Sequence, residues 1–337
     1  VPTYNMEALL PRCLDSLTKD CVPSSVEVIV VNDGSKDGSL RVASEYKKLR
    51  PDLLTIIDKE NGNYGSCINV ALKQVRGKYV KVLDADDWFS TEEFIVLHDE
   101  LKKTDADVVI TPFQEVIDGK KGKEWKLLSK YKDMELDADV FFSEHFFFLL
   151  PMHMVTYRVE LLKRIAYTQT EGISYTDSEW VFKPMFHVKN VKTINADVYR
   201  YLLGRAGQTM DPKIIIKSLN QELIVLTSQL SYRKEFYSEV SRLNVRKYID
   251  FVVCRKCILI YTQMLIHADD ESFDEKIVNK TDSLLLEYAP DLYSKVESFD
   301  SRSFVIKYWR KRKKRLPDFV RESLRGVLFL IKWMKSL

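Results

Sequence analysis

The segment Gly77-Lys-Tyr-Val-Lys-Val-Leu-Asp-Ala-Asp-Asp-Trp88 decides the fold, because a strand-like apolar run is followed at once by three carboxylates. Similar short runs, rich in β-branched residues, occur at 26–31, 53–57 and 107–110. Runs of this length and composition are typical of buried parallel strands. The sequence therefore predicts four strands in its first 110 residues, with 78–83 as the third.

Helical segments alternate with these strands, at residues 11–17, 39–49, 66–75 and 91–103. This alternation predicts right-handed crossovers and a doubly wound α/β sheet. Val1-Pro2-Thr3 reads as the end of an earlier strand, so we expect the sequence to be a fragment with a truncated first strand. A signal peptide lost from such a fragment stays an open alternative.

The pattern changes after the first 110 residues. The turn-forming stretch between Phe113 and Trp125 predicts a hairpin, and the chain becomes mainly helical from about residue 214. We therefore predict a sheet-containing domain at 1–212, a helical region at 213–301 and a basic amphipathic tail at 302–337.

Composition is that of an ordinary soluble protein. The 337 residues are 45% hydrophobic and 30% charged, which is enough to build a large core. The five cysteines have no framework spacing, which favours a reducing cytoplasm. Cys254 and Cys257 have the spacing of a helical pair that faces the core. No second Cys or His pair lies nearby in the sequence, so the spacing does not favour a zinc site.

Charge is concentrated in the tail at 302–337. Twelve basic and two acidic residues give it a net charge of +10, so residues 1–301 carry −7 within a total of +3. Basic residues alternate with an apolar helical stripe that includes Trp309 and Trp333, which favours an anionic membrane surface. Packing on the protein's own core is the alternative. Nucleic acid is not expected as a partner, because the body is acidic and no recognition module is present.

Polar residues follow the predicted strands, where ligands of open α/β sheets bind. Asp84, Asp86 and Asp87 repel one another unless a cation or a hydrogen-bond donor lies among them, and Asp33 follows another strand. A surface acidic turn or a helix N-cap is the structural alternative. A divalent metal that bridges a diphosphate would resolve this repulsion. The glycine-rich turn from Asn61 to Gly65 opens the next helix, so its amides could face a phosphate.

These motifs carry a resemblance to a known family. Val-Pro-Thr-Tyr-Asn at 1–5, Asn-Asp-Gly-Ser at 32–35, the Glu-Asn-Gly-Asn turn at 60–63 and the segment at 77–87 occur in an order and spacing that resemble glycosyltransferase family 2. The resemblance covers about residues 1–115 and continues more loosely to about 212. It implies the GT-A fold, as in bacterial capsule, exopolysaccharide and wall-polymer enzymes.

The resemblance also implies site residues. Thr3 and Tyr4 would line a nucleoside pocket, Asp33 would accept the uracil N3–H, and Asp84 would reach the ribose. Asp86 would bind the Mn²⁺ or Mg²⁺ that bridges the diphosphate. Two further residues are assigned to donor binding, Pro2 and Asn61.

A general base for the acceptor hydroxyl is expected in the segment 171–180. The segment resembles the family's Glu-Asp pair, with Thr176 in place of the usual Glu, so Asp177 falls on the base position. Glu179 is the fallback, and a helix cap formed by Thr176 or Asp177 is the structural alternative. His145 and His153 are taken as packing or surface residues.

The stretch 199–210 resembles the family's loop beside the diphosphate, which can close over the donor. Arg205 would contact phosphate there as a charge-assisted donor, or it is a solvated surface residue.

These features predict a metal-dependent inverting glycosyltransferase that moves a sugar from a UDP-sugar to a hydroxyl of a glycan or lipid-linked acceptor. We expect it in the cytoplasm, peripheral at the inner face of the membrane. The alternative is a non-catalytic scaffold that acts through its tail. A nucleotidyltransferase loop and a phosphatase motif on the first strand are both missing. The sequence does not decide between a monomer and a homo-oligomer.

Overall fold

The structure is a computed structural model that describes residues 1–117, 119–127, 129–145, 150–204 and 216–334. The chain divides into two compact units, Val1–Ala206 and Gly207–Leu337. The predicted domain limits at 212 and 301 stay predictions.

The first unit contains the strands. They are β1 Pro2–Thr3, β2 Val28–Asp33, β3 Leu54–Lys59, β4 Tyr79–Val80, β5 Trp88–Phe89, β6 Val108–Ile110, β7 Phe113–Ile117, β8 Lys120–Trp125, β9 Glu135–Asp137, β10 Val155–Arg158, β11 Asn190–Thr193 and β12 Tyr199–Leu203.

Three sheets are formed by these strands. The first has the order β1-β2-β3 and is wholly parallel, the second is mixed with the order β4-β10-β6-β11-β9, and the third is mixed with the order β5-β12-β7-β8. The antiparallel pair of β7 and β8 confirms the predicted hairpin. Parallel β1, β2 and β3 end at one common edge, which brings their last residues together.

Helices of the first unit connect the strands. They are α1 Leu10–Thr18, α2 Ser39–Leu49, α3 Asn63–Leu72, α4 Thr91–Leu101, α5 Ala138–His145, α6 Val159–Arg164 and α7 Asp177–Trp180. Helix α2 has the predicted bounds. Helix α3 begins three residues earlier than predicted, because Asn63 takes a positive φ of 62° and turns the chain directly into the helix.

The third predicted strand, 78–83, is shorter in the structure than the sequence indicates. Only Tyr79 and Val80 form β4, which pairs antiparallel with β10 and not with β1. After them, Lys81 directs its ammonium to the carbonyl oxygens of His153 and Val155, at 2.7 and 3.4 Å. These bonds attach residues 81–84 to the start of β10 through a side chain. Backbone hydrogen bonds between paired strands would have done this if the predicted strand had extended to residue 83.

The second unit is helical over its described residues. Its helices are α8 Leu219–Phe236, α9 Leu243–Thr262, α10 Glu275–Tyr288, α11 Pro290–Lys295, α12 Phe304–Arg312 and α13 Asp318–Met334. A π-helical turn, Gln263–His267, follows α9. Cys254 and Cys257 are both buried and unoxidised in α9, which confirms that they are a core-facing pair.

The basic tail makes contacts within the second unit. Arg315, Arg321 and Arg325 all donate hydrogen bonds to the carbonyl oxygen of Ala268, just after the π-helical turn. Cationic side chains at the end of a helix satisfy carbonyl groups that have no partner within the helix. Among the described residues, no helix is long and apolar enough to cross a membrane.

Candidate active site

The parallel register of the first sheet assembles one side of the site. Thr3 lies opposite Asn32, and Asp33 lies opposite Lys59 at the carboxyl ends of β2 and β3. Tyr4, which follows β1, therefore reaches the same edge as Asp33. Its ring is 45% exposed, whereas Thr3 is buried and bonds to the carbonyl of Val1.

Asp33 is held firmly at this edge, with 3% of its surface exposed. Its Oδ1 atom accepts hydrogen bonds from the Lys59 ammonium at 2.6 Å and the Gly62 amide at 2.9 Å. The Asn61 side chain donates to the Asp33 carbonyl oxygen at 2.9 Å, so Asn61 orients Asp33 through its backbone. Both carboxylate bonds fall on Oδ1, and among the described residues Oδ2 accepts none.

The helix α3 supports a second side of the site. A Cβ atom at Gly65 would lie 1.9 Å from the carbonyl oxygen of Thr170, so only glycine allows this approach. Asn69 exchanges hydrogen bonds with the backbone of Gln169 at 2.8 and 2.9 Å, and Gly172 donates to Gly62 at 2.8 Å. These contacts fix the loop that leads to α7.

Carboxylates crowd the segment after β4. Asp84 accepts a hydrogen bond from the Tyr64 hydroxyl at 2.9 Å, and its amide donates to the Tyr199 hydroxyl at 3.2 Å. Asp87 accepts from the same Tyr199 hydroxyl at 2.7 Å and from the Leu202 amide at 2.8 Å. Tyr199 and Leu202 belong to β12, so the third sheet holds the Asp87 carboxylate and the backbone of Asp84, while α3 holds the Asp84 carboxylate through Tyr64.

The electrostatics of this cluster are unfavourable without a cation. Burial raises the pKa of Asp84 to about 7, and the neighbouring charge of Asp86 adds to the shift. Burial also raises the pKa of Asp87 well above its usual range, again with a contribution from Asp86. No ion pair joins Asp84 or Asp87 to a lysine or arginine in the described part of the chain. Carboxylates in this state favour a positively charged ligand.

His153 belongs to the same cluster, which the sequence did not indicate. One ring nitrogen of His153 and one oxygen each of Asp84 and Asp87 lie within 4.8 Å of one another. Burial lowers the pKa of His153 to about 3, so its ring is neutral. The residue lies between two methionines in an aromatic stretch, and no local spacing marks it as a ligand.

Asp177 is the first residue of α7 and is exposed. Its charge contributes to the raised pKa values of Asp84, Tyr64 and Tyr201, which places it in electrostatic reach of the carboxylate cluster. The buried Thr176 hydroxyl accepts a hydrogen bond from Gln169 at 2.9 Å and does not cap the helix.

Glu179, the fallback base, is fully buried. Its two oxygens accept hydrogen bonds from the amide and hydroxyl of Thr170 at 2.7 and 2.9 Å, and Lys183 lies 3.3 Å away. Glu179 therefore anchors the loop before α7, whereas Asp177 is the exposed acid of this pair. Arg205 lies outside the described residues, directly after β12 and Gly204.

A cavity of about 310 Å³ lies elsewhere in the first unit. It is lined mainly by apolar side chains, among them Val28, Phe94 and Leu97, and by none of the predicted site residues. The predicted site therefore lies at the strand ends and is separate from this cavity.

Comparison with known proteins identifies the fold and family. Residues 1–166 match the sequence model of glycosyl transferase family 2. The chain carries a glycosyltransferase family 2 domain. The matched range includes Tyr4, Asp33 and the carboxylates that follow β4, so the resemblance of these motifs to the family is confirmed.

Relatives of this family 2 domain are bacterial enzymes of wall and exopolysaccharide synthesis. A poly(ribitol-phosphate) beta-glucosyltransferase of Bacillus spizizenii is 30% identical over 62% of this chain and 32% of its own length. The poly(ribitol-phosphate) beta-N-acetylglucosaminyltransferase TarS of Staphylococcus aureus is 27% identical over 62% of this chain and 36% of its own length. The match thus spans about a third of these curated relatives.

A solved structure shares the fold. Residues 1–349 of S. aureus TarS, in complex with UDP-GlcNAc, superpose with a TM-score of 0.52 at 21% identity, over 86% of this chain and 90% of that one. The family 2 domain has the GT-A fold and is followed by a helical C-terminal region, as the sequence predicts.

Proposed function

We propose that this chain is a metal-dependent inverting glycosyltransferase that transfers a sugar from a UDP-sugar to a hydroxyl of a wall-polymer glycan or a lipid-linked acceptor. One observation carries this proposal: Asp84, Asp86 and Asp87 are crowded together at a strand end with raised pKa values for two of them. Such a cluster is costly in an empty site and useful in one that binds a cation and a diphosphate.

The nucleoside would lie at the edge formed by β1 and β2. Uracil offers one N–H donor, and Oδ2 of Asp33 is available as its acceptor while Lys59 and Gly62 hold Oδ1. The exposed ring of Tyr4 can stack on the base. TarS is described in complex with UDP and UDP-GlcNAc, which supports a UDP-linked hexose or N-acetylhexosamine as donor.

Asp86, with Asp84 close by, would hold Mn²⁺ or Mg²⁺. Carboxylate oxygens suit both ions, and burial raises the pKa of Asp84, with a further contribution from the negative charge of Asp86. A cation bound at these residues would neutralise the charge that develops on the departing diphosphate. The remaining donor contact that we propose, from Arg205, would act on the same diphosphate.

Asp177 would act as the general base. Its carboxylate takes the proton from the acceptor hydroxyl, whose oxygen then attacks the anomeric carbon of the donor sugar. The bond from that carbon to the UDP oxygen breaks, and UDP leaves with the bonding electron pair. A single displacement of this kind inverts the anomeric configuration and needs no covalent intermediate.

The tail would bind an anionic membrane surface and keep the enzyme peripheral at the inner face. Lys311, Arg312, Lys313 and Lys314 are exposed, and the neighbouring Phe319 ring is 74% exposed. Each basic residue near such a surface contributes about 1 kcal/mol.

A variant with Lys311, Lys313 and Lys314 changed to Gln should therefore bind vesicles of anionic lipid at least tenfold more weakly in a sedimentation assay. Lys276, Lys280 and Lys295 changed to Gln, which lie outside the tail, form the matched control. Equal binding by the two triple variants would contradict the membrane role.

The activity itself is tested by UDP release from a panel of UDP-sugars, with Mn²⁺ and then with EDTA. We expect release from one donor, dependent on metal, and increased by a ribitol-phosphate or glycan acceptor. Asp177→Asn should lower turnover about 10³-fold without weakening UDP binding, because only the proton acceptor is lost. Turnover unchanged by EDTA, or an Asp177→Asn enzyme of normal rate, would contradict the proposed mechanism.

A further inference from the structure

The imidazole of His153 is enclosed by aromatic rings. The ring centroids of Phe113, Tyr199 and Tyr201 lie 4.9, 4.6 and 4.3 Å from its own. Its backbone is also fixed, because the Lys81 ammonium donates to its carbonyl oxygen at 2.7 Å. The ring therefore has one settled position, with its faces covered and its nitrogen atoms as its only polar groups.

Within the part of the chain that the structure describes, the Nδ1 atom of His153 has no hydrogen-bond partner, although it is inaccessible to solvent. Buried polar atoms are nearly always paired, because an unpaired one costs about 1 to 3 kcal/mol. One oxygen of Asp84, one oxygen of Asp87 and one ring nitrogen of His153 lie within 4.8 Å of one another, yet no hydrogen bond joins these aspartates to His153 among the described residues. Three ligand-type atoms that converge without bonding one another leave room for an ion among them.

We propose that His153 supplies a nitrogen ligand to the divalent cation of this site and makes the site select Mn²⁺ over Mg²⁺. This inference rests on the proposed function, since it concerns the same cation, and it adds Asp87 and His153 to the proposed ligands Asp84 and Asp86. Carboxylates accept either ion, whereas an imidazole nitrogen suits a transition metal and is a poor ligand for Mg²⁺, which prefers oxygen. Asp84 and Asp87 keep oxygen lone pairs for the cation, because each of their bonded oxygens accepts only one protein hydrogen bond.

The test uses the whole chain, freed of metal, with UDP and Mn²⁺ added. Pulsed electron paramagnetic resonance of the bound Mn²⁺ detects a directly coordinated nitrogen. We expect a ¹⁴N modulation in the wild-type complex that changes to the ¹⁵N pattern when the protein is labelled with ¹⁵N-histidine. His153→Gln should abolish this signal and lower the preference for Mn²⁺ over Mg²⁺ at least tenfold in competition titrations.

His98→Gln is the matched control, because His98 is also largely buried but bonds to Ser25 and Asp99 and not to Asp84 or Asp87. It should keep both the nitrogen signal and the preference for Mn²⁺. If His153→Gln does not fold, His153→Asn replaces it, since its amide occupies the place of Nδ1.

Two negative outcomes are distinguishable. Mn²⁺ that binds together with UDP but shows no nitrogen coupling would overturn the role of His153 and leave the proposed transferase intact. A protein that binds no Mn²⁺ in the presence of UDP would overturn both proposals.

Discussion

Two carboxylates that follow β4 in the first unit, Asp84 and Asp87, differ in their partners from the buried carboxylates of the second unit. In the second unit, Arg310 bonds to the buried Asp282 at 2.6 Å, and Arg233 bonds to the largely buried Asp250 at 2.8 Å. In the first unit, Asp84 and Asp87 are bonded only by hydroxyl and amide donors among the described residues.

We infer that the carboxylates paired with arginine stabilise the fold, and that Asp84 and Asp87 are available to a ligand. A buried carboxylate with an arginine is neutralised within the fold, and removing its partner leaves an uncompensated charge. A buried carboxylate without such a partner has a raised pKa and lowers the stability of the folded state at neutral pH. In the first unit this loss of stability falls near the strand ends, where open α/β sheets bind their ligands.

The largest effect should come from Asp86→Asn. We expect its UDP release to fall about 10³-fold, because the site loses the carboxylate proposed to hold the cation. Its melting temperature should stay the same or rise, since one of three crowded charges is removed. Asp52→Asn, on the surface, should leave both quantities unchanged; a marked loss of stability in Asp86→Asn would mean that the cluster is structural.

The next largest effect should come from the second unit. Arg310→Met should lower the free energy of unfolding by about 3 kcal/mol or more, because Asp282 would be left buried without its cation. The double variant Arg310→Met/Asp282→Leu should recover much of this loss in urea denaturation. A single variant as stable as the wild type would remove the distinction between the two regions.

A pH dependence should distinguish the first unit. With EDTA present, the folded state keeps a proton on Asp84 up to pH about 7, whereas the unfolded state releases it near pH 4. The free energy of unfolding should therefore fall between pH 4 and pH 7, by an amount on the order of 4 kcal/mol, and be level above that. Asp84→Asn should flatten this slope, and the measurement is urea denaturation of both proteins at each pH. If the free energy of unfolding of the wild type and of Asp84→Asn changed with pH in the same way, the raised pKa of Asp84 would be contradicted.

The smallest effect should come from an exposed pair. Arg41 bonds to Glu7 and Glu45 at 2.8 Å, but these side chains are about half exposed or more. Solvent and salt screen such pairs, so Arg41→Met should not shift the urea midpoint measurably. A loss of stability as large as that of Arg310→Met would show that burial does not determine how much an ion pair stabilises this protein.

The sequence predicts those features that depend on local pattern. Helix α2, the hairpin of β7 and β8, and the strand-end position of Asp33 follow from periodicity and turn residues. The extent and pairing of β4 cannot be predicted in this way. They depend on the Lys81 side chain, which bonds to carbonyl groups at the start of β10, more than 70 residues later in the sequence.

Site residues divide in the same way. Asp84 and Asp86 stand in a motif, and Asp177 in a recognisable segment. His153 belongs to no recognisable motif. Its position beside the carboxylates depends on packing against Phe113, Tyr199 and Tyr201, which are distant in sequence. The structural role of Glu179 was equally hidden, since it depends on the fold of the loop at Thr170.

The most direct test of the central claim is calorimetric titration of UDP into the protein with Mn²⁺ and with EDTA. If the strand-end carboxylates hold a cation for the diphosphate, UDP should bind at least tenfold more tightly with Mn²⁺ in the wild type. Asp86→Asn should show no such gain, whereas Asp52→Asn should keep it. Equal UDP affinity with and without metal in the wild type would contradict the claim.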